Sequence, residues 1–149
     1  MIRYLSVAAL MAVGATFAYA QGAVGAAAIT ERKAAMKSVG GAAKAVGDMI
    51  KGDQPFDQAK VAAAYKTMED NFIKVKALFP DDSKTGGDTT VLPTIWEKKA
   101  DFLSKLDKAS ADAKAAAVAA TDLEALKGAQ KGVGANCGGC HKEYRQPPK

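Results

Sequence analysis

The only two cysteines and the only histidine of this 149-residue chain stand together as Cys137-Gly138-Gly139-Cys140-His141. Two thiols three residues apart lie on one side of a helical turn. That spacing lets them add to two vinyl groups on one edge of a macrocycle, while the next residue, His141, faces the metal. The pattern reads as a c-type haem attachment site, with one haem c bound covalently through Cys137 and Cys140 and with His141 on the iron. Other chemistries fit less well. A thioredoxin-type pair needs a strand-to-helix turn in a βαβ unit, and no such pattern surrounds these residues. A structural zinc site needs four ligands, one more than the chain's cysteines and histidine supply. A plain disulfide leaves the adjacent histidine without a role.

The elements that must carry this group are helical. Larger residues recur at three- and four-residue spacing in four stretches. The first spans 24–51, with Ile29, Arg32, Met36, Val39, Val46 and Ile50 on one face, and Gly40-Gly41 is expected to weaken or bend it. The second spans 57–78, with Val61, Tyr65, Met68, Phe72 and Val75, and stops before Pro80. A polar, glycine-punctuated loop follows over 80–88 and should run on the surface. Pro93 opens the third, which runs to about residue 120 through Ile95, Trp96, Phe102, Leu103 and Leu106. Thr121-Asp122-Leu123-Glu124 has the form of a capping box, with threonine as the cap and glutamate reaching back. The fourth helix then runs into the cysteine motif, and Pro147-Pro148 closes it. No segment alternates as a strand would. Four helices of similar length joined by mostly short links predict an all-α, antiparallel up-down-up-down four-helix bundle in one domain.

The front of the chain reads differently. Arg3, an apolar run over 5–17 and Ala18-Tyr19-Ala20 form a secretory signal peptide over residues 1–20, cut after Ala20. The run is shorter than the roughly 20 residues that a membrane span needs. The domain is then 21–149, exported to the bacterial periplasm, with no membrane segment in its mature form. The net charge of +5 comes from lysines scattered among acids. This is a mildly basic surface without the block of charge that nucleic acid requires.

Bundle topology adds a geometric expectation. Helices one and four run antiparallel, so His141 near the end of the fourth lies beside Arg32 and Met36 in the first half of the first. Met68, Phe72 and Trp96 come to the same pole, whereas Met49 is out of reach.

The chain resembles the class II c-type cytochromes, the cytochrome c′ family, and most of all the low-spin cytochrome c-556 branch. The resemblance is carried by Ile29-Thr30-Glu31-Arg32 with Met36 one turn on, Phe79-Pro80, Pro93-Thr94-Ile95-Trp96, and the C-terminal Cys137 to Arg145. Class I cytochromes c carry the CxxCH motif near the N-terminus, with the methionine ligand downstream; here every methionine is upstream. The resemblance implies His141 as proximal ligand, Met36 on the distal side and Arg32 near a haem propionate. It implies a non-enzymatic one-electron carrier serving periplasmic redox proteins, as monomer or homodimer. The alternative is a five-coordinate, high-spin protein binding nitric oxide or carbon monoxide, with Met36 as core filler. Arg145, one turn beyond His141, is either a tuning charge or a solvated side chain.

Overall fold

A computed structural model describes the backbone of residues 5–147 and the side chains of residues 24–147. The signal-peptide reading over 1–20 therefore lies outside the residues whose side chains are described, and Pro148 lies outside altogether. Among the described residues five α-helices follow one another: α1 (Leu5–Lys51), α2 (Gln58–Val75), α3 (Thr94–Glu97), α4 (Lys99–Ala119) and α5 (Leu123–Tyr144). The four long ones form the expected bundle. Packing is extensive between α1 and α2, α2 and α4, and α4 and α5, and sparse between α1 and α5. Among the described residues there is no strand, only one antiparallel bridge between Val91 and Arg145. No described helix is long and apolar enough to cross a membrane.

The helix boundaries show where tertiary contacts modify local preference. Helix α1 starts at Leu5, well before residue 24, because no proline or cap interrupts the alanine-rich stretch. It also runs unbroken through Gly40-Gly41, where an added Cβ would meet only open space. Helix α2 is capped by the Asp57 carboxylate, which accepts the Lys60 N–H at 3.0 Å. It ends at Val75, not at 78. Ala77 and Leu78 there bond three residues back, tightening the chain ahead of Pro80.

The predicted third helix is two. Lys98 leaves helical geometry (φ −116°, ψ 42°) and separates α3 from α4. Two donors flanking this break, Trp96 Nε1 and Lys99 Nζ, converge on the Phe79 carbonyl at 3.2 and 2.9 Å. These long-range bonds fix the two sides of the break independently. The start of α5 also differs from the expected capping box. Asp122, not Thr121, is the cap and accepts the Ala125 N–H at 2.8 Å. Glu124 pairs instead with Lys127 at 2.6 Å.

Val46, Val61, Tyr65, Met68, Val75, Ile95 and Leu126 fill the centre of the bundle. At the pole where α5 ends, four rings stack edge to face. Trp96, Phe79, Phe102 and Tyr144 follow one another at centroid distances of 6.0, 4.8 and 5.2 Å. They join the loop after α2 to α4 and α5. The end of α5 is held again by backbone: Leu92 N–H donates to Tyr144 O at 2.9 Å and Gln146 N–H to Thr90 O at 2.7 Å.

Candidate haem site

A cavity of about 730 Å³ opens between α1 and α5, where those helices pack loosely. Its size is in the range of small-molecule and cofactor sites, roughly 300–1,000 Å³. Val39, Phe72, Val75, Phe79, Phe102 and Leu106 form its apolar walls. Arg32, Met36, Cys137, Cys140 and His141 all line it, so the fold brings these five residues together.

The α5 side carries the attachment chemistry. Cys137 and Cys140 are free and half-buried. Cys137 Sγ–H donates to Val133 O at 3.5 Å. Burial raises both thiols, Cys140 to about 11, so they stay protonated at neutral pH. His141 sits at the mouth. Partial burial, then the Arg145 charge one turn on, lowers its pKa and keeps a neutral imidazole with a free lone pair. Asn136, next to Cys137, donates its amide to Asp112 on α4 at 2.7 Å and so fixes the register of the attachment turn.

The α1 side carries Arg32 and Met36, one turn apart. Met36 is half-buried and is the one methionine lining the cavity among the described residues. Met68 and Met49 are core residues away from it. Trp96 also stands off the cavity, behind Phe79.

Arg32 is only 3% exposed. Its guanidinium donates to Leu78 O at 3.2 Å, to Ser83 Oγ and Ser83 O at 2.9 Å each, and to Thr89 Oγ1 at 2.7 Å. It also lies 4.9 Å from the Phe79 ring centroid. The loop over 80–88 is therefore more than a surface crossing. Its 3₁₀ turn (Asp81–Ser83) places Ser83 wholly inside, where it receives the arginine. All of these partners are neutral, so a buried cation faces the cavity wall without a carboxylate among the described residues. Sequence reasoning missed Ser83 and Thr89, which lie 51 and 57 positions from Arg32 and leave no periodic signal.

The same loop reaches the start of the bundle. Gly25 N–H donates to the Asp82 carboxylate at 3.1 Å, and a Cβ on Gly25 would come within 2.4 Å of Asp82 O. Only glycine permits that approach.

The donor set fits haem c. Two thiols three residues apart on one helix, a neutral imidazole, a soft thioether, a buried cation and apolar walls meet in one cavity. The family model described as cytochrome C′ matches residues 27–145. The chain belongs to the cytochrome c′ family, the class II c-type cytochromes. Its members bind covalent haem c, and this chain keeps the cysteine pair for it. It is similar to a cytochrome c′ of Rhodopseudomonas palustris, 43% identical over 97% of this chain and 96% of that one. A cytochrome c-556 of Agrobacterium fabrum is 39% identical over 78% of this chain and 80% of its own length. The solved structure of cytochrome c′ from Rhodopseudomonas palustris superposes with a TM-score of 0.80, covering 82% of this chain and 98% of that one.

Proposed function

We propose that this cytochrome is a periplasmic one-electron carrier with His/Met axial ligation. Cys137 and Cys140 form the two thioethers, His141 is the proximal ligand and Met36 the distal one. The observation that carries this reading is that Met36 on α1 and His141 on α5 line the same cavity from facing helices. The haem supplies a one-electron iron couple, and methionine/histidine ligation raises its potential. The chain's part is to hold both ligands on packed helices and to exclude water with Phe72, Phe79, Phe102 and Leu106. Arg32 offsets the charge of a haem carboxylate. Four of its N–H groups are committed to the 78–89 segment, and Nε–H remains for that carboxylate. The basic start, apolar run and Ala18-Tyr19-Ala20 within residues 1–20 support export. With its single histidine committed to the iron, the chain offers no second imidazole for acid/base turnover.

The second reading is a five-coordinate protein that binds nitric oxide or carbon monoxide. It uses the same apolar walls and is favoured by the likeness to a relative named cytochrome c′. The visible spectrum of the holoprotein separates the two. A sharp low-spin reduced spectrum, unmoved by carbon monoxide and converted to a carbon monoxide-responsive one in Met36→Ala, is expected. A broad high-spin spectrum that shifts with carbon monoxide in the unmodified protein would overturn Met36 ligation and make gas binding the function.

A further inference from the structure

Most lysines of this protein are neutralised by a neighbouring acid. Lys44, Lys60, Lys66, Lys74, Lys76, Lys84, Lys108 and Lys127 each pair with an aspartate or glutamate. The mouth of the cavity is different. Lys33 and Lys37 stand on its α1 lip, Arg145 on its α5 lip and Lys105 between them, while the one acid in the lining is Asp88. Asp88 is almost fully exposed and reaches Lys33 only at 3.8 Å. Neighbouring acids are spent elsewhere: Glu143 on Lys98 and Lys105, Asp101 on Lys105 and Tyr144, and Glu31 on Lys74. Lys37, Lys142 and Arg145 form no ion pair among the described residues and are exposed. Four further lysines without an ion pair among the described residues, Lys51, Lys99, Lys114 and Lys131, lie off the cavity, and Lys99 donates to the Phe79 carbonyl.

We infer that this cationic mouth, Lys33 and Lys37 on α1 facing Arg145 at the end of α5, is the docking face for a redox protein that presents a carboxylate-rich surface. The inference rests on the electron-carrier reading and names the partner's chemistry. Both lips belong to helices that also carry an axial ligand, so a partner seated there stands over the bound cofactor. Unpaired surface cations lower the encounter barrier for an anionic face without demanding a deep interface. That suits brief association followed by release. Lys37 and Arg145 have no acid partner among the described residues and Lys33 has only the exposed Asp88 at 3.8 Å, so little internal pairing is given up on docking.

The test follows the oxidation of the reduced holoprotein by ferricyanide, a small trianion, by stopped flow over a range of ionic strength. Low salt leaves charges visible across the mouth, whereas a Debye length of about 3 Å at 1 M hides them. The rate should fall with salt. Lys33→Glu/Lys37→Glu should slow it about 3- to 10-fold at low salt and match the parent at high salt. Lys114→Glu/Lys51→Glu changes the net charge equally, away from the mouth, and should slow it less than about 2-fold. Equal slowing by both pairs would reduce the effect to net charge and overturn the inference. NMR of the holoprotein titrated with a polyglutamate peptide gives an independent readout. Shifts confined to 33–37 and 142–146 are expected, and shifts spread over the surface would overturn the site. Binding to phosphatidylglycerol vesicles through these residues, with no response to the peptide, would assign the face to a membrane instead. Carbon monoxide binding to the parent would overturn the carrier reading alone, because the salt dependence reports surface charge whatever ligand occupies the iron.

Discussion

Arg32 carries a wider structural load than any other polar side chain of the site. It joins α1 to Leu78, Ser83 and Thr89, and Thr89 and Thr90 line the cavity. Arg32→Leu would strip this donor from four acceptors, two of them on buried Ser83 and two partly buried, and should destabilise the apoprotein by about 2–4 kcal/mol in urea titrations. Arg32→Lys should recover only part of this, because an ammonium cannot span the fork of acceptors. Tyr65 shows residue-scale chemistry remote from the cavity. It is fully buried, its hydroxyl meets Gln130 at 3.2 Å, and burial raises its pKa to about 12. The folded-state pKa is raised, so the contribution to stability is complete below the unfolded value near 10 and is lost as pH rises from there through about 12. Alkaline unfolding followed at the tyrosinate absorbance should show this loss, and Tyr65→Phe should flatten it.

At the scale of the element, the start of α5 separates two kinds of cap that the sequence alone leaves in competition. Thr121 and Asp122 are adjacent and both are good N-cap residues. The Ala120–Thr121 turn, in which Thr121 N–H donates to Ala119 O at 3.0 Å, moves the first helical residue to Leu123 and gives the role to Asp122. Asp122→Ala should therefore cost about 1 kcal/mol in chemical denaturation, and Thr121→Ala a few tenths at most. A larger loss for Thr121→Ala would restore the capping box. The break at Lys98 has the same origin. Local preference continues the helix, but Trp96 and Lys99 each reach Phe79, 17 and 20 positions away, and fix the two sides separately.

For the whole molecule, the cavity is the weak seam. Bundle neighbours pack tightly except α1 and α5, which the cofactor must bridge. Binding that involves only the folded state stabilises it. A Cys137→Ser/Cys140→Ser variant without haem should keep its helical circular dichroism and lose thermal stability. Hydrogen exchange should speed up first along α1 near Met36 and along the last turns of α5. The exchange should slow again at Leu92 and Gln146, whose N–H groups are held by Tyr144 O and Thr90 O. Uniform exchange across all four long helices would show that the cavity is not the limiting seam.

By itself the sequence determined the helices, their order, the attachment motif and the face on which Arg32 and Met36 share a turn. These follow from spacing within one element, where 3.6-residue periodicity maps residue number onto position. Antiparallel topology then carried Met36 to the pole of His141 and Met49 away from it, a long-range placement that needs only helix lengths. Tertiary structure alone decided the acceptors of Arg32, the split at Lys98, the choice of Asp122 as cap and the close approach that reserves position 25 for glycine. Each depends on groups that are distant in sequence meeting at hydrogen-bond range. Such a meeting leaves no periodic trace, because one buried donor and one acceptor can come from any two turns that the packed core brings together.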